Sequence, residues 1–307
     1  MSSRLYGNLA GVFSMLVWST GLPAAAEVLK TWHPLLVMPV RMALAGVVLS
    51  LVVLAWNSLP RLTLQLGKDI MLAGSAMGIS GLFLVWGQAF AHPVNVAIIV
   101  ASMPAISAAV GMLTGRERLT VTIALGVALA MAGGIVTIAG REHGGPERVA
   151  LGLGELLVFI STVLFVLFTR ISVDRLGNMS DLARAAVTTT ASSLVTAPIA
   201  VIAGLLGLAE LNYALDAKSV GLLVWLGCIG IGLSSVFWMA ACRMLGVTVA
   251  SMHNNMIPFY TMLFALLLGQ AVSLVQALGG VLVICGAVLA QLQFRSLKFR
   301  PKGGQGV

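Results

Sequence analysis

His253, Asn254 and Asn255 stand side by side in a stretch, Arg243 to Arg295, that holds no charged residue between its ends. An imidazole and two amides donate and accept hydrogen bonds, and the imidazole takes a proton near neutral pH. Left unpartnered in an apolar medium, such groups cost several kcal/mol each. They must therefore face other helices or water. Pro258 follows closely; inside a helix it removes the hydrogen bond to the carbonyl four residues back, that of Asn254. Interhelical hydrogen bonding and the wall of a water-accessible cavity are the two readings, and three such groups together favour the cavity.

Other residues fit the same wall. Trp18 and Ser19, Trp86 and Gln88, and Ser234 and Trp238 each put an aromatic or polar group within an apolar run. Aromatic faces with a few hydrogen-bonding groups suit zwitterionic or aromatic solutes. Pro104 and Pro258 are the candidate hinges. Arg41 and Arg184, each one or two turns into a helix, are candidates for a gate or for the substrate's charge, with snorkelling to headgroups as the alternative. Glu155 reads as an acid at the positive end of its helix, with a proton-coupling role as the other reading. Trp32, Trp56, Trp225 and Tyr6 lie near span ends, where interfacial anchoring is the default.

Several chemistries find no support. No GxSxG, HExxH or GxxxxGK[ST] pattern occurs, and no carboxylate pair sits within one span. Cys228, Cys242 and Cys285 have no paired spacing and read as small core residues. We therefore expect no enzyme, no cofactor and no metal site. Filter-like glycine loops or rings of charge, which would favour a channel, are not visible either.

The elements that must carry these residues follow from composition. Of 307 residues, 59% are hydrophobic and 9% charged, where soluble domains carry roughly a quarter charged. The medium must then be largely lipid. Apolar runs of about 20 residues predict ten spans, near 5–26, 34–56, 70–91, 94–113, 120–139, 151–171, 181–206, 219–242, 247–268 and 272–291. Twelve of the 18 Lys and Arg, Arg170 and Arg175 among them, fall on the side of the N-terminus and four on the other. Both termini are thus expected in the cytoplasm. The net charge of +8 is then a topology signal, and nucleic acid is not an expected partner. "PAAAE" at Pro23–Glu27 resembles a signal-peptide cleavage site, but the repeat described next needs the first helix retained.

An offset of 154 residues pairs Gly78 with Gly232, Ser80 with Ser234, Phe83 with Phe237, Pro104 with Pro258 and Gly126 with Gly280. Two copies of a five-span unit follow, residues 1–145 and 146–294, with a basic cytoplasmic tail at 295–307. Because five is odd, the second copy enters the membrane from the opposite side. The expected fold is an all-α integral membrane protein, ten transmembrane helices as two inverted five-helix repeats, a recurrent transporter architecture. Gly126, Gly133, Gly134, Gly279, Gly280 and Gly286 mark the fifth and tenth helices as close-packed scaffold.

"LVWST" at Leu16–Thr20, "PVRMALAG" at Pro39–Gly46, the run Asn95–Thr120 and "GLGELLVFISTVLF" at Gly152–Phe165 resemble the drug/metabolite transporter superfamily, EamA type. Within it the chain is similar to bacterial exporters of amino acids, including aromatic ones. The resemblance implies a secondary transporter of the bacterial inner membrane that exports small organic solutes through a central cavity by alternating access. Related members carry sugars, nucleotide sugars or drugs, which are the alternative substrates. The partners implied are a small-molecule substrate and the bilayer, with no obligate protein partner. Reporter fusions at both ends should report the cytoplasmic face; reporters on opposite faces would refute the five-plus-five scheme.

Overall fold

The computed structural model describes residues 3–56, 63–91, 96, 99–116, 120–139, 152–257, 259–260, 263–264 and 274–292. Pro258, the linker residues Arg141 and Arg148, and the tail 295–307 lie outside the described residues. We label the helices α1 (Ser3–Val28), α2 (Pro34–Ala55), α3 (Leu64–Phe90), α4 (Met103–Leu113) and α5 (Val121–Ala139). They continue as α6 (Leu153–Arg175), α7 (Asp181–Leu205), α8 (Ala217–Leu245), α9 (Val247–Ser251) and α10 (Leu274–Leu292). No strand occurs among the described residues. α2, α3, α6, α7 and α8 contain stretches long and apolar enough to cross a bilayer, and α4, α5 and α10 contain shorter apolar ones. Their outer faces are apolar too: Val47, Leu51 and Leu54 of α2, Leu194 of α7 and Leu125 of α5 are all exposed. Water would not tolerate such a surface on a monomer. The chain is a multi-pass membrane protein.

Helix ends are set by short polar residues. Thr63, Ser180 and Asp216 cap α3, α7 and α8 by accepting the N–H of Leu66, Ala183 and Ser219. Glu155 accepts the Gly152 N–H at 2.9 Å and so closes the start of α6. Gly246, at φ +82°, turns α8 into α9 in a conformation open to glycine.

Two differences from the expected boundaries share one cause. α3 begins six residues early and α6 runs on to Arg175, because charges at these helix ends pair with one another across one end of the bundle. Asp69 of α3 is buried and accepts from Arg175 of α6 at 2.9 Å. A third difference is in α8, where Trp225–Leu233 is a π-helix between two α segments. Its glycines Gly227, Gly230 and Gly232 leave little side-chain bulk to hold an α register.

Lipid supplies no hydrophobic drive between helices, so association depends on close backbone approach and interhelical hydrogen bonds. Both occur in exchanged pairs. Gly7 of α1 meets Met244 and Leu245 of α8, and Gly154 of α6 meets Phe90 and Ala91 at the end of α3. Ser14 of α1 donates to the Ser234 carbonyl of α8 at 2.8 Å; Ser161 of α6 donates to the Ser80 carbonyl of α3 at 2.7 Å. The first helix of each half thus grips the third helix of the other at matching positions. α2 meets α7 through Gly46 against Thr190 and the Pro39 carbonyl accepting from Ser193.

α5 and α10 pack backbone to backbone. Gly126 faces Gly286 and Ala290, while Gly133 faces Gly279 and Val283, so the two helices run antiparallel. A Cβ added at Gly133 would lie 2.6 Å from both the Gly279 oxygen and the Val283 nitrogen. Gly133→Leu should cost about 1–3 kcal/mol by overpacking, read as a lowered melting temperature in detergent. Gly221→Ala, helical with open space around it, should hold or slightly raise that temperature; equal behaviour of the two would discount the α5–α10 seam.

Candidate functional site

After Ser251 the chain tightens from α9 into a 3₁₀ helix over Met252–Met256. The Ile257 N–H donates to the Asn254 carbonyl. With no N–H at position 258, that carbonyl takes its partner three residues on instead of four. The expected continuous ninth helix is therefore broken just before the proline. The fourth span breaks at the corresponding place: residue 102 is a turn, Ser102 Oγ donates to the Ile99 carbonyl at 2.6 Å, and α4 restarts at Met103 with Pro104 in its first turn. Proline is tolerated there, where a helix N–H has no partner to lose.

The 3₁₀ turn sends its three polar side chains to three helices. His253 packs its ring onto Gly11 of α1, where a Cβ would lie 2.8 Å away. Its Nδ1 sits 3.2 Å from the Ala250 carbonyl. The Asn254 amide donates toward the Met103 sulfur of α4. Asn255 donates to the Ala130 carbonyl of α5 at 3.1 Å, while its buried Oδ1 has no hydrogen-bond partner. All three are buried. Glycine at position 11 is what admits the imidazole, a signal that only the partner helix could give.

A second group lies between α6 and α8. The Trp238 indole N–H donates to Thr169 Oγ1 at 3.2 Å, and its ring lies 5.8 Å from that of Phe165. Phe165 in turn bridges to the core on which Trp18 packs. Ser19 and Ser234 are buried but return their hydroxyls to their own helices, at the Met15 and Gly230 carbonyls. Trp86 and Gln88 are exposed near the end of α3, and neither joins the Trp238 or His253 group. Phe165 and Thr169 escaped the sequence reading because helical spacing alone cannot separate a lining residue from a core one.

Three arginines lie within the bundle. Arg184 is wholly buried and pairs with Asp181, three residues earlier; Asp181 also accepts from Arg243 of α8 at 2.8 Å. Arg170, read from the sequence as a headgroup-side charge, is buried instead. It donates to the Ser107 carbonyl of α4 at 2.6 Å and approaches Thr248 of α9 at 3.3 Å. Arg41 turns its guanidinium toward the sulfur of fully buried Met38 rather than to headgroups, and its Nε is buried without a partner. The three sites differ most in what balances the charge.

Both ends of the bundle carry ties between the halves. At one, Arg175 pairs with Asp69, and Arg116 with Asp174 at 3.6 Å. At the other, Glu27 receives Lys30 and Lys218, and their hydrogen bonds hold its carboxyl below the usual carboxylate range. Trp32 departs from the expected interfacial position. It is buried beneath residues 212–214, donating to the Ala214 carbonyl at 2.8 Å with its ring tilted against that of Tyr213, centroids 5.9 Å apart. Trp56, Trp225 and Tyr6 are exposed, as belt residues are.

Two halves gripping each other through exchanged contacts, with polar residues at matched helix breaks, define a multi-pass membrane bundle of duplicated build. The chain belongs to the EamA-like transporter family, whose model matches residues 5–139 and again 152–292. It is 22% identical over 266 residues to a Bacillus subtilis (strain 168) protein described as "Uncharacterized transporter YyaM", covering 85% of this chain and 86% of that one. A crystal structure 20% identical in sequence superposes with a TM-score of 0.76, over 95% of this chain and 99% of that chain. The fold is shared.

Asp181 is the one carboxylate that balances fully buried Arg184 among the described residues. Asp181→Asn should cost about 3–5 kcal/mol, the penalty for stranding a buried charge. Replacing both residues with leucine should recover most of it. Thermal melts that fall no further for the single variant than for the double one would remove this role.

Proposed function

We propose that this transporter exports small organic solutes, amino acids including aromatic ones, by alternating access at a polar cavity between two inverted halves, residues 1–145 and 146–294. The observation that carries the reading is the matched pair of helix breaks, at Ser102 and at Met252–Met256, next to buried His253 and Asn254. Interrupted helices at corresponding points of two halves supply unsatisfied backbone groups and movable joints, the recurrent features of a transporter site. Pro104 and Pro258 are the hinges in this scheme. Trp18, Ser19, Trp86, Gln88, Ser234, Trp238, His253, Asn254 and Asn255 remain the proposed substrate wall. His253 and Asn254 have the strongest support, since they sit where α1, α4 and α9 converge.

The ties at the two ends give the cycle its mechanics. Opening one face breaks Asp69–Arg175 and Arg116–Asp174; opening the other breaks Glu27–Lys218 and the Trp32 contact with Ala214. Each set is a few bonds with at least one partly exposed partner, few enough to exchange. Both termini face the cytoplasm of a bacterial-type inner membrane in this reading, and no covalent chemistry is assigned to the protein. Other metabolites or drugs, such as sugars, nucleotide sugars or cationic compounds, are the second reading. The variety of apolar and aromatic side chains around Trp238 leaves room for it.

Purified protein in liposomes loaded with labelled amino acids tests the proposal. Saturable efflux, inhibited by unlabelled solute, is the expected result; linear flux would indicate a channel, and conversion without flux an enzyme. Asn254→Leu and Trp18→Ala should each slow efflux roughly tenfold, the equivalent of one lost polar or stacking contact, with membrane insertion unchanged. Wild-type rates in both variants would remove the assigned site and leave the fold.

A further inference from the structure

Each half carries an arginine on its second helix, Arg41 seven residues after the start of α2 and Arg184 three after the start of α7, and the two are balanced differently. In the second half Asp181 stands three residues before Arg184, in "DLAR"; in the first Met38 stands three residues before Arg41, in "MPVR". The structure places the two pairs alike, side chain on side chain one turn apart along the second helix of each half. Only one pair is neutral. Arg184 has a carboxylate, whereas the partner of Arg41 among the described residues is a thioether, a weak acceptor with no charge. The Nε of both arginines is buried without a partner, so the difference between them lies in the carboxylate.

A guanidinium inside a membrane bundle is expensive unless an anion balances it. Its planar fork matches a carboxylate with two parallel hydrogen bonds. Arg41 is about 10 Å along α2 from the helix start at 1.5 Å per residue, and its reach is toward buried Met38. The backbone behind it faces the π segment of α8: a Cβ at Gly227 would lie 2.9 Å from the Arg41 carbonyl. Arg41 thus has no counter-ion among the described residues, where Arg184 has Asp181.

We propose that Arg41 is the substrate-charge site and that its missing counter-ion is the carboxylate of the transported solute. Arg184, by contrast, is a structural ion pair. The proposal rests on the transport reading above and narrows it to solutes bearing a carboxylate, whether amino acids or other organic acids; amines and neutral drugs lack the group that Arg41 requires.

The full-length protein in liposomes provides the test, with phenylalanine and leucine as probes beside phenylalaninamide and phenethylamine. Wild-type protein should move the two acids, and the amide and amine at least about tenfold more slowly, the scale of one lost charge-assisted contact. Arg41→Gln should slow the acids by a similar factor while eluting as a monodisperse species, and Arg41→Lys should restore part of the rate. Amide and amine moving as fast as the acids in wild-type protein would overturn the proposal, and that comparison stands even where Arg41→Gln does not fold. Unchanged acid efflux in Arg41→Gln would overturn it as well, leaving transport itself intact. A phospholipid phosphate is the other source of an anion. Stabilisation of detergent-purified protein by phosphatidylglycerol, abolished by Arg41→Gln and indifferent to phenylalanine, would assign the residue to lipid and overturn the substrate role. Absence of saturable flux for every probe would defeat the transport reading and this proposal together.

Discussion

Helices in lipid gain nothing from hiding apolar surface against one another, since the surrounding tails are equally apolar. What holds this bundle is how closely its backbones approach and which polar groups they exchange across the gap. Gly7 and Gly154 admit the facing helix of the opposite half, and Gly126, Gly133, Gly279 and Gly286 do the same at the α5–α10 seam. The Ser14–Ser234 pair adds one interhelical hydrogen bond on one side, and Ser161 and Ser80 each donate to the other's carbonyl on the other. Even a methyl group at Gly7, Gly126, Gly133, Gly154 or Gly286 would press within 3 Å of the facing helix and push it away. The exchanged contacts then follow as a geometric consequence: when the first helix of one half fits the third of the other, the reverse fit comes with it.

Against that tight frame the looser segments stand out. The 3₁₀ turn at Met252–Met256, the break at Ser102 and the π-helix at Trp225–Leu233 all lie on the third or fourth helix of a half. The fifth helices, fused by glycine, show no such irregularity over Val121–Ala139 and Leu274–Leu292. Motion about a fixed spine requires this division of labour. A register change stores alternative hydrogen-bond partners for the backbone, so a segment can shift without stranding polar groups in hydrocarbon.

Charge follows the same economy. Several ionised groups among the described residues meet a partner across an interface: Asp69 with Arg175, Asp181 with Arg243, Glu27 with Lys218. Arg170 also reaches oxygens on α4 and α9. Arg41 breaks the pattern, since its partner among the described residues is the Met38 thioether, whereas the arginine on the second helix of the other half has Asp181.

The sequence by itself determined the medium, the duplication and the general placement of the helices. Each depends on composition or on sums over some twenty residues, and lipid punishes any polar backbone that is not helical. It also determined the polar trio at His253–Asn255, since such residues contrast sharply with an apolar run. Tertiary structure alone decided which way those side chains turn: His253 to Gly11, Asn254 to Met103, Asn255 to Ala130. It likewise decided that Arg170 and Trp32 are buried, where counting charges and span ends placed them at the membrane surface. Their partners, Ser107 and Ala214, lie more than sixty residues away in the chain. Energies that depend on such distant pairs leave no local pattern to read.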